Sequence, residues 1–149
     1  MRLGAGYVVI ADMTTFRDIY LLVARILLGV VLIAHGWQKF NEWTLPGTAE
    51  AFAGMGVPLP EVTSAIAAIV ELVGGLLIIA GAFTPIVGVI VALQMLGAYF
   101  FAHMGNGVFV DNGGFELVGV IAAASLALAG AGAGRFSADQ LIDTRRATR

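Results

Sequence analysis

Four apolar segments of helix length dominate this chain, and the longest charge-free run fixes how they must be divided. From Leu72 to Val110 there is no Asp, Glu, Lys or Arg. A bilayer span takes roughly 20 apolar residues, so this run is too long for one span. Phe83-Thr84-Pro85 divides it, and a proline suits the first turn of the helix that follows. The chain is 59% hydrophobic and 12% charged, with a mean hydropathy of +0.92. A soluble domain carries about 25% charged residues, so the composition points to an integral membrane protein.

The pattern predicts helices over 18–38, 61–82, 86–103 and 115–133, an all-α transmembrane four-helix bundle. Pro58 and Pro60 precede the second helix, Asn112-Gly113-Gly114 precedes the fourth, and the Gly130–Gly134 run ends it. Three regions follow: an N-terminal segment 1–17, a four-helix domain 18–134 and a polar tail 135–149, expected as a surface segment or a loosely attached helix. Met13 offers an alternative start, so residues 1–12 are expected to lie outside the natural product and no function is placed on them. Ala34-His35-Gly36 loosely resembles a signal-peptide cleavage site, but Arg25 inside the apolar stretch argues against a cleaved leader.

Charge sets the expected orientation. Arg2, Arg17, Arg135, Arg145, Arg146 and Arg149 fall on one side, against Lys39 with Glu42, Glu50, Glu61 and Asp111 on the other. Both termini should therefore face the cytoplasm across the plasma (inner) membrane, with the loop 40–60 outside. A net charge of −2 gives no support to a nucleic-acid partner. With no cysteine, disulfides, thiol redox centres and thiolate metal sites are excluded.

Ionisable groups at membrane depth face a bundle interior, find partners or line a polar path. With a period of about 3.6 residues, Arg25, Gly29, Leu32, Gly36 and Lys39 share one stripe of the first helix. Ser64, Ala67, Glu71, Gly75 and Ala82 share one on the second. Gln94 lies with Ile90, Gly97 and Ala98 on the third, and Glu116 with Gly119, Ala123, Ala127 and Gly130 on the fourth. Small residues let helices approach closely in lipid, so these stripes are expected to converge on the bundle axis. Glu71 lies roughly 15 Å into its helix, near the midplane. Arg25 is within reach of it, and Gln94 is the alternative partner.

Arg25, Glu71, Gln94 and Glu116 are thus the candidate interior polar, ligand or proton site. Glu71 has two readings, a hydrogen-bonded structural residue or a proton-carrying carboxylate. His35, Lys39 and His103 are expected at the outer face, Lys39 as a snorkelling anchor. The two histidines with Glu116 have no metal-ligand spacing, so no metal site is expected. No nucleophile elbow, phosphate loop or dinucleotide fingerprint is present.

With these residues in view, the chain resembles the DoxX family of small four-helix membrane proteins, from about residue 20 to 143. The resemblance rests on Arg25-Ile-Leu-Leu-Gly29 with Gly36-Trp-Gln-Lys39-Phe, on Glu71-Leu-Val-Gly-Gly75 with Gly81-Ala-Phe-Thr-Pro85, and on Met95 and Ala98. Gly114-Phe-Glu116 and Gly132-Ala-Gly134-Arg-Phe-Ser137-Ala-Asp139 complete it. It implies association with membrane redox complexes and oxidative-stress defence, through partners that carry the redox chemistry, and leaves open whether the chain is itself an enzyme. The expected function is a membrane subunit that anchors a redox partner and offers a quinone or proton site. No intrinsic cofactor is expected, quinone is the one implied, and a homo-oligomer is allowed. The rival readings are a scaffold without chemistry and a small-solute or proton transporter.

Overall fold

The computed structural model describes the backbone over residues 4–147 and the side chains over 13–145. The expectation about residues 1–12 falls outside the described side chains, as do Arg2, Arg146 and Arg149. The described residues form six α-helices: α1 (Gly4–Asn41), α2 (Thr44–Gly54), α3 (Pro60–Ala80), α4 (Thr84–Ala98), α5 (Glu116–Ala131) and α6 (Ala138–Ala147). A π-helical turn, Tyr99–His103, continues α4. Four helices were expected, and the two extra ones are α2, inside the loop 40–60, and α6, inside the tail. Three segments are long and apolar enough to cross a membrane: Met13–Asn41, Pro60–Ala80 and Thr84–His103. At about 1.5 Å per residue, α5 spans roughly 24 Å, less than the hydrocarbon core of a bilayer.

α1 and α3 pack backbone to backbone. A Cβ on Gly75 would sit 2.8 Å from the Gly29 carbonyl oxygen, and one on Gly29 would sit 2.7 Å from the Gly75 oxygen. Small residues therefore do what apolar bulk cannot do in lipid, letting dispersion contacts form over the whole interface. Leu28 and Leu32 of α1, Ile78 of α3, Val87, Val91 and Met95 of α4, and Ile121 and Leu128 of α5 make the core.

The stripes of the first two predicted helices are buried as expected at Arg25, Gly29, Leu32, Gly36 and Lys39 on α1 and at Ser64, Ala67, Glu71 and Gly75 on α3, while Ala82 lies past the end of α3 and is half-buried. The other two are corrected. Ala123, Ala127 and Gly130 are exposed on α5, which buries Ile121, Ser125 and Leu128 instead. On α4, Ile90 is exposed and the buried face is Val87, Gly88, Val91, Ala92 and Met95. The close approach of α4 and α5 falls on other small residues than those predicted: a Cβ on Gly88 would sit 2.6 Å from the Ser125 carbonyl oxygen, with Val87, Val91, Ile121 and Leu128 packed around it.

The tail is docked, not loosely attached. Gly81 (φ +66°) ends α3 in the left-handed conformation, with Ala82 N–H donating to the Leu77 carbonyl at 2.9 Å. Phe83 follows at φ +53°, unfavourable for a residue with a side chain. What holds it is Asp139: one carboxylate oxygen accepts from Phe83 N–H at 2.7 Å and the other from Thr84 N–H at 3.0 Å. The Asp139 N–H donates to the Gly81 carbonyl at 2.9 Å. A carboxylate here caps α4 and meets the positive end of its dipole. Asp18 accepts from Arg135 N–H at 3.3 Å, so the beginning of the α1 span, the α3–α4 turn and the tail gather at one end of the bundle.

Asp139→Ala removes two capping bonds, a loss of about 0.5–2 kcal/mol. The amides of Phe83 and Thr84 are expected to exchange with deuterium faster and the thermal midpoint to fall. Unchanged exchange at both amides would contradict the docked tail.

Candidate functional site

Three helices converge on Glu71. Lys39 comes from α1, four residues after an α-helical turn that begins at His35, and its Nζ donates to Glu71 Oε2 at 2.6 Å. Gln94 comes from α4, and its Nε2 donates to Glu71 Oε1 at 2.9 Å and to the Ala67 carbonyl at 3.4 Å. Both carboxylate oxygens are therefore engaged. Lys39 is 9% exposed and Glu71 5%. The Lys39 ammonium also lies 5.7 Å from the centre of the Trp43 ring and 3.5 Å from the His35 carbonyl. The ring face adds attraction for the cation.

α2 encloses this cluster. Its Thr48 is buried and donates to the Thr44 carbonyl at 2.9 Å and to the Lys39 carbonyl at 3.5 Å. The end of α1 thus lies beneath a helix rather than at an open interface. That corrects the expectation for Lys39, which does not snorkel outward but turns inward to Glu71. Its stripe carried the signal: Lys39 follows Gly29 and Gly36, which face α3, at the same helical spacing. The missing piece was α2.

Arg25 does not reach the cluster, so the Arg25–Glu71 contact that its depth allowed is not formed, and Lys39 and the alternative partner Gln94 hold Glu71 instead. Arg25 is fully buried at the other end of the α1–α3 interface. Its guanidinium lies against Gly81, where a Cβ would overlap it, and donates to the Phe136 carbonyl. Its Nε and second terminal nitrogen have no hydrogen-bond partner. Glu116, partly exposed, does not reach the cluster either: it accepts from Val110 N–H at 2.9 Å and closes the loop before α5. His103 Nδ1 lies 2.7 Å from the Gly113 carbonyl, which can only accept, so Nδ1 carries the proton there. His35 is half-buried and contributes its carbonyl. Among the described residues, no group of three His, Asp or Glu is placed to hold a metal ion.

One polar atom in the cluster is left over. Gln94 Oε1 is buried without a hydrogen-bond partner. Such an acceptor costs about 1–3 kcal/mol unless a water, a proton or a ligand satisfies it. The cluster thus combines a cationic donor, an engaged carboxylate and a free carbonyl acceptor in an apolar surround. That set can hydrogen-bond a small polar head or exchange a proton with one. An apolar groove of about 420 Å³ between α4 and α5, lined by Ala92, Met95, Tyr99, Phe115 and Ala122, lacks charged groups.

Breaking one side of a buried ion pair leaves an uncompensated charge, a loss of about 3–5 kcal/mol in a buried setting. Lys39→Met and Glu71→Leu should each lower the thermal midpoint in detergent, and the double change should recover much of it. Arg25→Leu with Glu71→Leu should instead be additive. Additivity for Lys39 and Glu71, or recovery for Arg25 and Glu71, would reverse the pairing.

The DoxX family profile matches residues 20–104, which carry Arg25, Lys39, Glu71 and Gln94. A Bacillus subtilis protein named "Putative oxidoreductase CatD" is 33% identical over 113 residues, 76% of this chain and 81% of its own. The Escherichia coli inner membrane protein YphA is 30% identical, covering 87% of this chain and 94% of its own, and YqjF, also an inner membrane protein of that organism, is 32% identical over 89% and 99%. No solved structure matches. The chain is a membrane protein and belongs to the DoxX family.

Proposed function

We propose that this protein is a multi-pass subunit of the plasma (inner) membrane that anchors a redox partner and presents the Lys39–Glu71–Gln94 cluster to a quinone head or to a proton. The observation that carries the reading is the unpartnered Gln94 Oε1 beside a buried ion pair. Support also comes from the oxidoreductase name of one relative and the inner-membrane names of two others. We further propose four spans, with α5 as the fourth, and both termini in the cytoplasm. In that topology Arg17, Arg135 and Arg145 lie on the cytoplasmic side.

A bound quinone would supply the electron and proton acceptor. The residues fit its head: the Lys39 ammonium donates to a carbonyl, Gln94 Oε1 accepts from a hydroxyl, and the Glu71 carboxylate lies next to both as a proton acceptor. α2 keeps bulk water from the pair. The chain has no cysteine and carries no redox centre of its own among its side chains, so the electrons would come from the partner.

A structural role is the second reading. It is favoured by Gln94 Nε2, which is spent on Glu71 and on the Ala67 carbonyl and so ties α3 to α4.

Purification in mild detergent, with mass spectrometry of bound lipids and proteins, separates the two. Gln94→Leu leaves the Lys39–Glu71 pair intact. The wild type is expected to retain quinone and a redox protein, and Gln94→Leu to lose the quinone while staying folded. Absence of quinone from the wild type, or equal retention by both, would favour the scaffold.

A further inference from the structure

At the end of the bundle where the tail docks, a groove of about 770 Å³ opens between α1, the start of α4, the end of α5 and α6. Its wall is of two kinds. One side is apolar, with Phe83 58% exposed, Ile86 61% and Ile142 40%. The other is a charged rim containing Arg17, Arg135 and three aspartates.

The aspartates differ in what they leave free. Asp139 is spent on the amides of Phe83 and Thr84. Asp18 is 7% exposed and accepts from Arg135 N–H, with Arg17 3.6 Å away. Asp143 lies further along α6. The Arg17 side chain is 67% exposed, so its guanidinium stays open to a second anion. The rim therefore presents two guanidinium groups beside an apolar wall.

The position is as informative as the chemistry. The candidate span on α4 begins at Thr84, and the apolar part of α5 ends at Ala131. The groove borders both ends, so it lies where a hydrocarbon core gives way to headgroups. A soluble anion would satisfy the rim and leave Phe83, Ile86 and Ile142 in water. A free acyl chain would cover the wall and leave the Arg135 guanidinium and the open side of Arg17 without an added anion. A molecule with both parts matches both sides.

We propose that this groove binds one glycerophospholipid, with its phosphate on Arg17 and Arg135 and an acyl chain over Phe83, Ile86 and Ile142. Guanidinium pairs with phosphate through parallel hydrogen bonds and holds it in a defined orientation. The Asp139 contacts build the site, because they hold α6, and with it Ile142, across from α4. The lipid in turn closes the gap between α6 and the bundle.

Native mass spectrometry after exchange into detergent containing a synthetic phospholipid tests this. The wild type is expected to keep one lipid. Each arginine near a headgroup contributes about 1 kcal/mol, so Arg17→Ala with Arg135→Ala should weaken retention about thirtyfold. Both side chains are on the surface, so the double variant should stay folded, with the wild-type helix content by circular dichroism. Ile142→Ser should weaken retention through the wall alone. Millimolar inorganic phosphate should fail to displace the lipid. Retention unchanged by the arginine pair, or unchanged by Ile142→Ser, or displacement by phosphate alone, would overturn the proposal.

Discussion

Glu71 is a carboxylate buried in an apolar chain, and the structure is arranged so that it never lacks a partner. Lys39 supplies the charge and Gln94 the second hydrogen bond. In hydrocarbon an unpaired charge is expensive, and no water is at hand to compensate. The carboxylate therefore draws α1, α3 and α4 to one point. The Gly29–Gly75 approach makes this possible, because only helices in backbone contact bring a lysine stem within reach of a glutamate on the next helix. α2 then covers the end of α1, with Thr48 buried above the Lys39 carbonyl.

The opposite end of the same interface is closed by other means. Arg25 reaches a tail carbonyl instead of a carboxylate, and Asp139 caps α4 through the amides of Phe83 and Thr84. The two ends thus use their charges differently. At one end the ion pair is internal to the spans. At the other, a segment more than a hundred residues away in sequence returns to satisfy the first helix. This makes the tail part of the fold and gives the bundle one end that is compact and one that presents a groove.

The sequence shows much of this, unevenly. The breaks at Phe83-Thr84-Pro85 and before Glu116 follow from their turn residues, and the inner faces of α1 and α3 from periodicity, because polar and small residues coincide there. Periodicity misleads on α5, where Ala123, Ala127 and Gly130 are small but exposed, since a small side chain facing lipid carries little penalty. α2 escapes notice because Pro46 and Gly47 in its first turns read as a loop. Glu71 and Gln94 are recognisable as neighbours from their depth. For Lys39 the stripe shows the facing side, but its burial depends on α2. Arg25 and Glu116 carry no local sign of their partners, Phe136 and Val110, whose backbone groups are placed by tertiary structure.

The central claim is that Glu71 is an ionised partner of Lys39 inside the bundle. Isotope-edited infrared spectroscopy of the protein in lipid reads this directly. The account predicts a carboxylate band that vanishes in Glu71→Gln and shifts in Lys39→Met. A protonated carboxyl band at Glu71 in the wild type, or a carboxylate band indifferent to Lys39→Met, would contradict it.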